Sequence, residues 1–214
     1  MPFARDKREQ QDVATRNRDD VDLLAREAAF AGYFRIDRYR LRHRLFAGGW
    51  SGEVVREVFE RGHAAALLPY DPARDAVVLI EQFRIGAYAA GEPAWLTEVV
   101  AGIIEESETP EDVARRETAE EAGLEIGALE PITTFFVSTG GTTQTTALFV
   151  GRVEAAGAGG IHGLDDENED IRVTAMAFDE AMAMCADGRI REAATLIALQ
   201  WLALNRERLR RDWR

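Results

Sequence analysis

The sequence predicts an α+β fold, an α/β/α sandwich with a mixed sheet preceded by a small N-terminal β module. Three observations predict it. Apolar runs of strand length recur along the chain, separated by turn-rich spacers. Strands and helices mix without the regular alternation of a doubly wound parallel sheet. Two stretches carry helical signals instead: an acidic one beginning at Thr109 and an amphipathic one near the C-terminus.

Residues 1–20 are charged and poor in apolar side chains, which predicts a flexible arm. VDLLAREAAF, from Val21, fits a short helix or a strand. In YFRIDRYRLRHRLF, residues 33–46, aromatic and β-branched content favours a long exposed strand. AGGWSG then reads as a turn and EVVREVF as the returning strand, so residues 21–60 form the N-terminal module. HAAALLPY and AVVLIEQF flank the turn DPARD and read as buried strands. WLTEVVAGII, residues 95–104, reads as one more. GALEPITTFFVS and TTALFVGRV are two further strands joined by TGGTTQ. Residues 155–170 read as a long polar loop, IRVTAMAF as a strand and DEAMAMCADG as a short helix. The C-terminal helix is expected to bury a face of Ala194, Ile197, Ala198, Trp201 and Leu204.

Composition excludes several classes. The 214 residues are 46% hydrophobic, enough for a real core and too much for a disordered chain. The net charge of −12 argues against nucleic acid, which would call for a basic footprint. No run of about 18 apolar residues offers a membrane span. The N-terminus lacks the apolar core of a signal peptide. The single cysteine, Cys185, allows no internal disulfide, in keeping with a reducing cytoplasm, and its apolar setting reads as packing rather than nucleophilic chemistry.

The chemical signal is RRETAEEAG, Arg115 to Gly123. Thr109 can cap a helix, Pro110 suits its first position, Asp112 can complete a capping box and Gly123 can end it. On that helix Glu117, Glu120 and Glu121 fall within an arc of roughly 100°. Ala114, Thr118 and Ala122 make a neighbouring small-residue stripe, and Arg116 stands four residues before Glu120. A solvated acidic face would be the plain explanation. Against it, Glu117 and Glu121 repel at i, i+4, and both lie toward the end of the helix where its dipole disfavours anions. A hard divalent cation among the carboxylates removes both objections.

Gly102, Glu108, Arg116, Glu117, Glu120, Glu121, Gly123 and Leu124 match the Nudix box, G-x5-E-x7-R-E-U-x-E-E-x-G-U, with every spacing intact. Thr118 is the one mismatch, at an aliphatic position. Beyond the box, ERGHAAALLPYDPARDAVVLIEQFRIGAY, WLTEVVAGIIEE, HGLDDENEDIRV and IALQWL resemble the ADP-ribose pyrophosphatase branch, over roughly residues 20–205.

The resemblance implies the Nudix sandwich over residues 61–214, hydrolysis of a nucleoside diphosphate linked to another group, and Mg2+ (with Mn2+ as an alternative). It implies that Glu117, Glu121 and the backbone carbonyl of Ala101 ligate the metal. Glu120 belongs to this cluster, with Arg116 orienting the glutamates and Glu108 tying the loop to the helix. In the acidic run DDENED it sets Glu167 as general base and Glu169 as a further metal ligand; two positions apart, the two could exchange roles. Arg56 and Arg84, each ending a strand-like run, are the candidate phosphate and nucleotide contacts. Tyr33 is the candidate to stack on adenine, and Gly102, Ser138 and Gln144 complete the expected substrate set. Two residues depart from the branch: Thr139 stands where it shows proline, and Gln144 where it shows glutamate. The resemblance also implies a homodimer formed through the N-terminal module. ADP-ribose is thus the first substrate, with another nucleotide sugar such as GDP-mannose, or a catalytically silent binding module, as alternatives.

Overall fold

The computed structural model describes residues 16–164 and 168–213. The chain divides into two compact units, Met1–Glu60 and Arg61–Arg214.

The N-terminal unit is a three-stranded antiparallel sheet: β1 (Val21–Ala31), β2 (Arg35–His43) and β3 (Val54–Glu60), in that order. The open choice at Val21 therefore resolves to a strand. Cross-strand ion pairs lace the sheet, among them Arg38 with Glu57 at 2.9 Å and Arg40 with Glu53 at 2.7 Å. The arm expected through residue 20 is, over its described part, a capped turn. Asn17 accepts from the Asp19 amide while Asp20 accepts from the Asn17 amide, a reciprocal cap on the 3-10 turn Arg18–Asp20. Residues 1–15 lie outside the described residues.

The second unit is built on a mixed sheet. Its strands are β4 (Ala64–Asp71), β5 (Ala76–Phe83), β6 (Trp95–Glu98), β7 (Val100–Ile103), β8 (Leu129–Phe136), β9 (Thr145–Arg152), β10 (Gly159–His162) and β11 (Ile171–Ala177). The order is β10-β11-β5-β4-β9-β8, with β4 and β9 parallel and the other neighbours antiparallel. β4 is buried along its whole length, and its alternate residues serve opposite layers. Ala65 and Leu67 pack with Val113 and Ala114 of helix α2 (Pro110–Ala122). Ala66, Leu68 and Tyr70 pack with α3 (Phe178–Ala186) and α4 (Ala193–Asp212), through Phe178, Ala198, Leu199 and Leu202. That is the expected α/β/α sandwich.

Three differences from the sequence reading have physical causes. Within residues 155–170 the chain forms β10, because Gly159–His162 pairs with the edge of β11. Helix α4 buries Ala194, Thr195, Ala198, Leu199, Leu202 and Leu209, whereas Leu204 is 87% exposed. The buried stripe is thus rotated from the predicted one, because apolar residues surround the helix and the sheet, not periodicity, selects its face. Finally, WLTEVVAGII is two strands. β4 and β5 share a ladder only at Tyr70–Val77 and Asp71–Ala76, then splay apart. The segment enters the gap, pairing first with β5 as β6 and then with β4 as β7. At the crossover the Val99 amide donates to Thr195 Oγ1 at 2.9 Å, so α4 pins the switch.

Candidate active site

Helix α2 forms where its caps demand. Thr109 Oγ1 accepts from the Asp112 amide at 3.2 Å, the Asp112 carboxylate accepts from the Thr109 amide at 3.2 Å, and Gly123 ends the helix with φ 63°, a left-handed turn glycine adopts freely. Thr118, the mismatch in the box, is fully buried. Its hydroxyl donates to the Ala114 carbonyl at 2.7 Å, so the polar atom is satisfied within the helix.

The inward face of α2 meets β7. Glu121 is 3% exposed, and one of its oxygens accepts from the Ala101 amide at 3.1 Å. Burial pushes its carboxyl up to about 8, the neighbouring Glu117 and Glu169 charges adding to the effect and the Ala101 hydrogen bond opposing it. Glu117 is also raised, chiefly by burial, although Arg116 counters this. Gly102 was expected at the substrate; the structure places it beneath Glu117, whose carboxylate fills the space a Cβ would need.

Arg116 organises the outer side. Its guanidinium donates to both Glu108 oxygens at 2.7 and 3.1 Å, to Glu117 at 2.9 Å and to Glu120 at 3.0 Å. The Glu105 amide also donates to Glu108 at 3.3 Å, so Glu108 joins the loop before the helix to Arg116. Glu169 approaches from the segment before β11, held by the Leu164 amide at 3.2 Å, close enough for its charge to act on Glu117 and Glu121.

Ala101, Gly102, Arg116, Glu117, Glu120, Glu121 and Glu169 therefore come together. Arg84 joins them electrostatically through Glu121, at the point where β5 gives way to the short helix α1 (Ile85–Ala89). Ser138 and Gln144 lie in the loop between β8 and β9; Gln144 is buried, and its carbonyl accepts from the Val137 amide at 3.2 Å. Arg56 and Tyr33 belong to the N-terminal unit. Arg56 lies inside β3 and donates to the Val55 carbonyl at 2.8 Å. Tyr33 is in the bend between β1 and β2 rather than in the expected strand, 96% exposed and edge-on to Phe34. Glu167 lies outside the described residues. Sequence reasoning missed Glu98, the buried partner of Arg84; its one signal was a lone charge inside the apolar run WLTEVVAGII.

The expected donor set is all oxygen: three carboxylates and a backbone carbonyl. That is the chemistry of a hard divalent ion, and a buried carboxyl held above its ordinary range gains most from one. Among the described residues, no three acidic, His or Cys side chains already converge into a metal site. Glu117 is turned to Arg116 and Glu121 to Ala101, so a metal would have to compete with those bonds.

Comparison with known proteins agrees with this geometry. The NUDIX domain model matches residues 60–199. The ADP-ribose pyrophosphatase of Escherichia coli K12 is 54% identical over 199 residues, covering 93% of this chain and 95% of that one. The Haemophilus influenzae ADP-ribose pyrophosphatase is 41% identical over 201 residues, covering 92% and 93%. A GDP-mannose pyrophosphatase from Cronobacter sakazakii is 39% identical over 161 residues, covering 72% and 81%. The crystal structure of an ADP compounds hydrolase superposes with a TM-score of 0.67 at 19% identity, covering 87% of this chain and 96% of that one, which shows the shared fold. The carboxylate helix against β7 and the family match together place this chain in the Nudix family.

Proposed function

We propose that this protein hydrolyses the pyrophosphate of ADP-ribose to AMP and ribose 5-phosphate with Mg2+, for which Mn2+ can substitute. The observation that carries the reading is the buried Glu121 on the box helix, bonded to Ala101 and backed by Glu117 and Glu169. The 54% identity to an ADP-ribose pyrophosphatase supports the substrate.

Glu117, Glu121, Glu169 and the Ala101 carbonyl would hold the metal, which supplies charge neutralisation at the phosphate oxygens. Arg116 keeps Glu117 and Glu120 in place. Glu167 takes a proton from the attacking water as its oxygen bonds to phosphorus and the bridging P–O bond breaks. Glu169 is the alternative base. Arg84 and Arg56 bind the phosphates, Tyr33 stacks on adenine, and Ser138 and Gln144 meet the substrate from the β8–β9 loop. The N-terminal sheet, with Phe30, Tyr33 and Phe46 exposed, forms a homodimer in this reading. Among the described residues no helix is long and apolar enough to cross a membrane. We place the enzyme in the cytoplasm, its one cysteine being compatible with that compartment.

Thr139 and Gln144 depart from the ADP-ribose branch, and with a GDP-mannose pyrophosphatase among the relatives, GDP-mannose is the second reading. Incubation with each substrate and magnesium separates the two. Faster release of AMP than of GMP is expected, and the reverse overturns the ADP-ribose assignment. Light scattering at micromolar concentration should give the mass of a dimer; a monomer would refute the N-terminal interface.

A further inference from the structure

Arg84 does not meet the site as a free cation. Its Nε donates to one oxygen of Glu98 at 2.8 Å, and its Nη2 lies 2.7 Å from the same oxygen as an ion pair. Among the described residues its Nη1 has no hydrogen-bond partner. The β5–β6 register pairs Glu98 with Ile80, so Glu98 shares the face of Ile80, the one covered by α2. The pair is lopsided: the Glu98 side chain is 5% exposed and that of Arg84 40%. The carboxylate is inside and the guanidinium stands at the rim, where it also feels Glu121 and Glu192.

A buried carboxylate held by one partner is a poor source of stability, since its desolvation offsets most of the attraction. It does, however, orient a guanidinium, whose planar fork offers more than one edge for hydrogen bonding. We infer that Glu98 is a positioning residue, gripping Arg84 along one edge so that Nη1 points to a phosphate oxygen of the substrate. This rests on the reading of Arg84 as a phosphate contact, and the experiment separates the two.

Glu98→Gln keeps shape and one acceptor oxygen but loses the charge that anchors the fork. Glu98→Asp keeps charge but draws back by one methylene. Either should raise KM for ADP-ribose about tenfold with kcat within about threefold, the signature of lost uniform binding. In an Arg84→Ala background neither should add further loss, because the residue that Glu98 acts through is gone. Thermal melting identifies any variant that fails to fold, and the other variant then carries the test. If Arg84→Ala raises KM but the Glu98 changes do not, or act equally in both backgrounds, the positioning role is wrong and the Arg84 contact stands. If Arg84→Ala leaves KM unchanged, both readings fall.

Discussion

Glu121→Gln tests the electrostatic logic of the site without needing turnover. In the metal-free protein, burial raises the Glu121 carboxyl from its ordinary 4.5 to about 8. The native state therefore holds a proton that the unfolded chain has released anywhere between those values. The sign follows: the stability this group contributes is complete below about pH 4.5 and is lost as pH rises toward about 8. At about 1.36 kcal/mol per pH unit, the full window corresponds to about 5 kcal/mol. Between about pH 6 and that upper value the loss is about 3 kcal/mol. Glutamine keeps an acceptor for the Ala101 amide and cannot ionise, so the variant should lose far less stability on alkalinisation. Urea unfolding in EDTA near pH 6 and near pH 9, for both proteins, measures the difference. Added magnesium should restore the wild type at the higher pH by binding the ionised form, and should do little for Glu121→Gln. An equal pH dependence in the two metal-free proteins would refute the reasoning.

Three further outcomes are expected. Gly102→Ala places a methyl where the Glu117 carboxylate stands. Because the far end of a side chain can move, the fold should survive, with melting within a few degrees, while magnesium-dependent turnover falls at least about tenfold; full activity would show that Glu117 need not sit there. Thr195→Val leaves the buried Val99 amide without its acceptor and removes a donor to Glu192, and should cost about 1–3 kcal/mol in urea unfolding. Thr109→Ala removes the side-chain cap of α2 and should cost about 1 kcal/mol by the same measurement, with the metal dependence of turnover retained.

Much of the molecule was legible because its signals are local. Helix α2 begins and ends where Thr109, Pro110 and Gly123 said it would, since caps act within one turn. Most strands of the second unit follow from apolar runs bounded by turn residues; the exceptions are β10, inside the stretch read as a loop, and the division of WLTEVVAGII into β6 and β7. The box spacing also placed Glu117, Glu120 and Glu121 on one helix, the first two within reach of Arg116. Local signals misjudged position around α4, where apolar residues on several sides led the reading to Leu204 instead of Leu199, and left open whether β1 would be helix or strand.

The amino-acid order alone specified the carboxylate helix, most of the strands and the family they belong to, because each depends on residues a few positions apart. The three-dimensional arrangement alone decided which carboxylate is buried, that the Glu117 carboxylate occupies the space beside Gly102, and that Arg84 arrives already gripped by Glu98. Those outcomes depend on the splaying of β4 from β5, which lets residues 95–103 enter between them. Such a pairing is set by competition among distant strands for hydrogen-bond partners and buried area, and no stretch of sequence records its result.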